Sequence, residues 1–347
     1  MTIDETTYGV LPDGQAARLW TLRHADRMVA RLTDFGATLV ALETPDRSGR
    51  MGDITLGYDR LDGWVADKVY MGTTVGRYGN RIGGASFTLD GRRYMLPANE
   101  GRNQLHGGFV GFHKHLWRGE PFSHGDELGV RFTRTSPDGE EGFPGNLDAV
   151  VTYRLTPSSL AIDFEATTDR PTIVNLVHHT YWNLSADPTR SVLDHRLRIA
   201  ADRYLPVDAE NIPTGEMRQV SNTPFDLRDA QPIGARIGET GAGYDHCWVF
   251  DRPAASSDLI LAAELHEPLT GRVMRLYTDQ PGMQFYAGFH LNGTITGKGG
   301  VRYGKHAGLC METERLPDTP NKPTFASCVL RPGERYVHRM VHEFDIR

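Results

Sequence analysis

Cysteine is scarce in this chain: three residues in 347, at Cys247, Cys310 and Cys328. An odd, unpatterned set of that size supplies neither a disulfide framework nor a zinc ribbon. Long apolar runs are missing as well. No stretch approaches the roughly eighteen apolar residues of a membrane span, and Met1 to Val10 carries acidic residues and no apolar signal core, so a soluble cytoplasmic chain is expected. Nor is there a surplus of basic charge. The 38 Lys and Arg residues are interspersed with 44 Asp and Glu, giving a net charge of −6 and no basic stripe, which argues against nucleic acid as a partner. Helical periodicity is confined to short turns near Leu61 to Lys68 and Asp226 to Ile237. Gly76 to Ile82 (G-R-Y-G-N-R-I) carries glycines but lacks the Lys-Ser/Thr ending and strand-to-helix setting of a phosphate loop, which excludes a nucleotide site there.

What is present reads as short strands at close spacing. Met28 to Thr44 predicts two strands bent at Asp34-Phe35-Gly36, followed by turn chemistry at Pro45 to Gly49. Ala85 to Leu96 predicts a hairpin, because Asp90-Gly91 supplies the positive-φ pair of a two-residue primed turn. Leu128 to Ser136, Leu147 to Leu155, Leu160 to Thr168 and Asp194 to Ala201 continue the pattern between Pro, Gly, Asp and Asn clusters. Strands do not alternate with helices, and neither repeats nor a low-complexity linker interrupt the chain. The expectation is an all-β fold with few short helices: one large antiparallel β-sandwich domain over residues 1–347, its long loops crowding one face.

Thr172 to Leu184 (T-I-V-N-L-V-H-H-T-Y-W-N-L) sets two imidazoles and several polar groups inside a strand-forming run. In an extended segment His178 and His179 point to opposite faces, one with Val177, Tyr181 and Asn183, the other with Asn175, Thr180 and Trp182. Polar residues also gather in N-Q-L-H-G-G (103–108), S-P-D-G-E-E-G-F-P-G-N (136–146), G-Y-D-H (243–246), Q-P-G-M-Q-F-Y-A-G (280–288) and C-M-E-T-E-R-L-P-D-T-P-N (310–321). Together they offer carboxylates, amides, an Arg and imidazoles with aromatic neighbours, an inventory suited to a ring of hydroxyl groups. His113, His115 and His124 read as solvated loop residues, and His178 as a bystander. The pairs His113/His115 and His178/His179 lack a third ligand at a metal-binding spacing, so no metal is expected.

These motifs, with I-P-T-G-E and T-P-F-D-L-R between Tyr204 and Arg228, stand in the order of the aldose 1-epimerase family, which the chain resembles from about Phe35 to the C-terminus. The resemblance implies a large β-sandwich, a cofactor-free cleft and interconversion of the α and β anomers of free aldoses, by a monomer or homodimer. It implies Glu312 as general base, His179 as general acid and His106 as a second imidazole of the catalytic group. Asn80, Arg81, Asp245 and Gln284 resemble the residues that hold sugar hydroxyls. Three positions depart from the family's usual wording: Tyr78-Gly79 replaces a small apolar pair, His178 replaces an Asn or Gln, and Glu314 replaces a Gln.

Mutarotation removes the proton of the anomeric hydroxyl while protonating the ring oxygen, so one base and one acid suffice. Ordinary values near 4.3 for Glu and 6.5 for His, the latter raised by neighbouring carboxylates such as Asp245, predict activity that rises as Glu312 ionises and falls as His179 deprotonates. Two alternatives remain. A glycoside hydrolase would pair Glu312 with Asp245, and a non-catalytic sugar-binding module would need neither a titrating acid nor a base.

Overall fold

A computed structural model of the chain describes residues 1–24, 27–252 and 256–347. Period-2 patterning becomes three large antiparallel sheets, with four two-stranded ones beside them among the described residues. Residues 2–53 form a five-stranded meander, with Thr2–Val10, Ala16–His24, Met28–Thr33, Thr38–Pro45 and Met51–Asp53 side by side. A nine-stranded sheet runs through Arg118–His124, Glu127–Ser136, Leu147–Leu155, Ser159–Thr168, Tyr336–Ile346, Arg272–Thr278, Ile260–His266, Arg196–Ile199 and Gln231–Pro232. A second five-stranded sheet is ordered Arg218–Gln219, Arg203–Tyr204, Asp245–Val249, Gly282–Tyr286 and Cys310–Glu314.

Alternation decides which side chains are buried. Leu147, Ala149, Val151, Tyr153 and Leu155 all turn inward from one strand, as do Leu160, Ile162, Phe164 and Ala166 from its neighbour. One apolar cluster joins Trp20 and Leu32 of the first sheet, Phe132 and Val151 of the second, and Trp248, Phe285 and Met311 of the third. Burial of such side chains contributes roughly 1.5–3 kcal/mol each, enough to hold the layers together.

The hairpin forms as expected, Ser86–Leu89 on Arg92–Met95, with Asp90 at φ 49° and Gly91 at φ 76°. The bend after Thr33 and the strands around it also agree with the sequence reading. Helix is limited: Leu61–Ala66 is an α-helix, whereas Asp226 to Ile237 yields the 3₁₀ turn Ile233–Ala235 and the start of a second, Ile237–Thr240. No helix among the described residues is long and apolar enough to cross a membrane.

Thr172 to Leu184 departs from a continuous strand. Only Thr172–Ile173 and Val177–His178 pair as strands, on Val329–Leu330 and Thr74–Val75. The intervening backbone bonds instead to several separate segments: Asn175 N donates to Arg77 O, His179 N to Thr73 O and Trp182 N to Leu309 O. The run is buried throughout. Its apolar content fits the interior, but its partners come from so many directions that no long ladder forms.

Candidate active site

Three strands of the second five-stranded sheet turn one face into a cleft. On Cys310–Glu314, side chains 310, 312 and 314 share that face, while Met311 and Thr313 point away. The register sets Gln284 opposite Glu312 and Asp245 opposite Tyr286, and Gln284 Nε2 donates to Asp245 Oδ1 at 2.7 Å. The reverse face is pinned: the Thr313 hydroxyl meets His338 Nε2 at 2.8 Å, and His338 Nδ1 lies 3.0 Å from Leu176 O.

The opposite wall comes from loops. Arg81–Ile82 pairs with Gln104–Leu105, which brings the next residue, His106, against Asn80. Asn80 N donates to His106 Nδ1 at 3.1 Å, and His106 N donates to Asn80 O at 3.0 Å. Both residues occupy left-handed backbone, Asn80 at φ 61° and His106 at φ 51°, a region in which Asn and His are enriched among residues with side chains. Arg81 is aimed by a two-pronged ion pair with Glu100, at 2.7 and 2.8 Å.

His179 closes the arrangement. Its Nε2 is 3.5 Å from Glu312 Oε1 and its Nδ1 is 3.6 Å from Cys310 Sγ. His178 turns the other way as alternation requires, with Nδ1 3.0 Å from the Thr180 hydroxyl and its ring against Tyr153. The cleft, about 160 Å³, is lined by all seven residues singled out from the sequence: Asn80, Arg81, His106, His179, Asp245, Gln284 and Glu312.

Other residues of the site carried little sequence signal. Tyr70 lies with its ring centroid 4.5 Å from that of His106, 4.7 Å from that of His113 and 5.9 Å from that of His179, while Tyr181 packs on His179 from within the motif itself. His113 is therefore not a solvated loop residue. It is buried behind Tyr70, and burial, aided by Lys114, depresses it to about 3. His115 is half-buried and only His124 is exposed. Burial decides here, and the spacing of these histidines carries no record of it.

Burial also reorders the proton affinities. Desolvation, then the neighbouring carboxylates Glu314 and Asp245, push Glu312 well above the ordinary carboxylate range, with Arg81 pulling the other way. Desolvation depresses His179 to about 4, so the expectation that carboxylates would raise this imidazole is overturned. With Nε2 and Oε1 3.5 Å apart, the two groups are close enough that the protonation of one bears on that of the other. In the sugar-free site desolvation favours the neutral arrangement, with the proton on the carboxyl. Glu314, fully buried, is pushed up to about 8 by desolvation against the pull of hydrogen bonds from Asn80 and Asn175.

Atoms of His106, His179 and Glu312 lie within 4.8 Å of one another, the spread of a divalent-ion site. Hydrogen bonding at His106 does not suit an ion. Its Nδ1 accepts the Asn80 N–H, and burial, with His179 and Arg81 nearby, keeps the ring neutral. The one ring proton therefore sits on Nε2. A metal-bound imidazole has the opposite pattern, ligating through one bare nitrogen and donating from the other. This trio is better suited to hydrogen bonding with a polar ligand.

The aldose 1-epimerase family model matches residues 18–343. Galactose mutarotase of Rattus norvegicus is 40% identical over 347 residues, spanning 100% of this chain and 99% of the rat protein. Aldose 1-epimerase of Escherichia coli K12 is 37% identical over 97% of this chain and 98% of its own. An aldose epimerase homologue from C. elegans superposes with a TM-score of 0.87 at 30% identity, covering 95% of this chain and 99% of that one. The chain belongs to the aldose 1-epimerase family.

Proposed function

We propose that this chain is a mutarotase that interconverts the α and β anomers of free aldohexoses such as glucose and galactose by opening and reclosing the pyranose ring. The observation that carries the reading is the Glu312–His179 pair, a carboxyl and an imidazole 3.5 Å apart in a cleft also lined by the Asn80 and Gln284 amides, the Arg81 guanidinium, the His106 imidazole and the Asp245 and Glu100 carboxylates. The sugar's anomeric O–H donates to Glu312, and Arg81 lies near enough to favour the carboxylate. The shared proton then resides on His179 Nε2, the form needed to open the ring. Glu312 takes the O1 proton as His179 protonates O5, the aldehyde turns about C1–C2, and the roles reverse on closure. His106, fixed as an Nε2–H donor, stabilises the oxygen on which charge develops. Asn80, Asp245 and Gln284 hold the hydroxyls.

Alternative pairing of Glu312 with Asp245, as in a hydrolase, fits less well. The group facing Glu312 at 3.5 Å is an imidazole, and Asp245 Oδ1 is held by Gln284 at 2.7 Å. We also propose that residues 1–347 act as one domain, since the cleft draws on residues from 68 to 312. A cytoplasmic location agrees with three cysteines that are all unpaired, and a monomer or homodimer is enough for a cleft that one chain completes. Polarimetry on fresh α-D-glucose and α-D-galactose tests the reading. Accelerated approach to the anomeric equilibrium is expected, without phenol release from an aryl glycoside. A rate equal to the spontaneous one would overturn it.

A further inference from the structure

Behind the cleft wall lies a carboxyl group that the proposed chemistry leaves without a task. Glu314 is fully buried and shares the cleft-side face of its strand with Glu312. Its oxygens accept from two amides: Asn80 Nδ2 at 3.0 Å on Oε1 and Asn175 Nδ2 at 3.3 Å on Oε2. Neither amide is free to turn over. Asn80 Oδ1 accepts the Arg81 N–H at 2.9 Å, and Asn175 Oδ1 accepts the Arg315 N–H at 2.9 Å while its Nδ2 also donates to Gly79 O at 3.1 Å. A backbone donor must meet an oxygen, so both side chains necessarily present N–H groups to residue 314.

Resting on the mutarotase reading, we propose that Glu314 is a positioning residue for sugar binding: by accepting from both amides it locks the Asn80 side chain so that its second N–H is presented to the sugar. Asn80 lines the cleft, and its Nδ2 has Glu314 as its one hydrogen-bond partner among the described residues, which leaves one N–H for a ligand. A carboxyl group meets this demand in either protonation state, because each oxygen keeps a lone pair. Glutamine cannot. Its Nε2 has no lone pair, so one of the two amides would face a second donor at hydrogen-bond distance. Asn175 is tied by two further backbone bonds and Asn80 by one, so Asn80 is the side chain that gives way.

The test compares wild type, Glu314→Gln and the double variant Asn80→Asp/Glu314→Gln, each for galactose kinetics and thermal unfolding. Glu314→Gln should raise KM roughly three- to tenfold, the worth of one misdirected hydrogen bond, with kcat within about twofold, and should lower Tm. A merely structural role would lower Tm and leave the KM of the folded fraction unchanged, and that result overturns the proposal. In the double variant, the carboxylate introduced at position 80 accepts both the Arg81 N–H and an N–H of the amide introduced at position 314. The oxygen of that amide accepts from Asn175, so every donor again has an acceptor. Its Tm should return toward wild type while KM stays raised, because the sugar-facing N–H is gone. A double variant less stable than Glu314→Gln, or unfolded, overturns the proposal even where the single variant fails to fold. Should wild type not accelerate mutarotation, the functional reading fails by itself, and galactose Kd by calorimetry replaces KM in the same comparison, with the same outcomes deciding.

Discussion

Glu312 and His179 are buried side chains 3.5 Å apart, placed to pass a proton to and from a sugar, so each residue's contribution is measurable by removing its capacity to carry that proton. As the proposed base, Glu312→Gln preserves size and hydrogen bonding, and kcat should fall by roughly 10²–10⁴ with little change in KM. Stability should hold, because a buried carboxyl raised in proton affinity by its surroundings contributes no favourable charge to the fold. A variant retaining most of its kcat, or melting far below wild type, would show Glu312 to be structural. His179→Asn should behave likewise, and the two losses should not multiply, since ring opening lacking one partner gains little from the other. The pH profile follows from the inverted affinities. Below His179's value of about 4 the pair carries two protons and has no acceptor. Above Glu312's raised value it carries none and has no donor. Activity corrected for the spontaneous rate should therefore rise through about pH 4 and fall as the pH passes Glu312's raised value. A rising limb near 6.5, the ordinary histidine value, would show that burial does not control His179.

At the scale of elements, two loop motifs lock one another and so fix the wall that carries Asn80, Arg81 and His106. The guanidinium of Arg77, in G-R-Y-G-N-R-I, is buried against S-P-D-G-E-E-G-F-P-G-N: Nη1 donates to Pro144 O and Gly145 O at 2.9 Å, and Nη2 to Ser136 O at 3.1 Å and Ser136 Oγ at 2.6 Å. The second motif answers through Glu141, whose carboxylate accepts the N–H groups of Phe109 and Val110 just beyond His106. Arg77→Met leaves several buried carbonyls without donors, at about 1–3 kcal/mol for each group unsatisfied. It should reduce unfolding free energy by at least about 2 kcal/mol in urea titrations, and an unchanged midpoint would refute this account of the loops. These motifs were legible as words, and their ordered occurrence carried the family resemblance. Their reciprocal bonding was not, because Arg77 and Ser136 are separated by 59 residues and no local periodicity relates them. Strands and the Asp90-Gly91 hairpin were readable for the opposite reason: alternation and turn chemistry are properties of neighbours in sequence.

The whole molecule sets the breadth of the chemistry. O1 and O5 are common to all aldopyranoses, and the cleft's amides and carboxylates can donate to or accept from hydroxyls of either configuration. Glucose and galactose should both turn over, and strict activity on one hexose, or only on a phosphorylated one, would count against the assignment. Activity should also persist after exhaustive chelation, because the tautomer of His106 is turned against an ion. Loss in chelator that a divalent cation restores would refute that. By itself, the sequence determined the all-β class, the strands within Met28 to Thr44 and the central strands Glu127–Ser136, Leu147–Leu155 and Ser159–Thr168, though not Thr2–Val10, Ala16–His24 or Tyr336–Ile346, the opposite facing of His178 and His179 and seven of the residues that line the cleft, since each depends on residue chemistry, short-range alternation or ordered motifs. Only the tertiary structure decided that residues 106, 179 and 312 converge, that His113 lies buried under Tyr70, that Thr172 to Leu184 breaks into fragments bonded in several directions, and that Glu312 outranks His179 in proton affinity. Distance and desolvation are set by contacts between segments remote in the chain, and a charge loses its water only when the other walls of the cleft are in place.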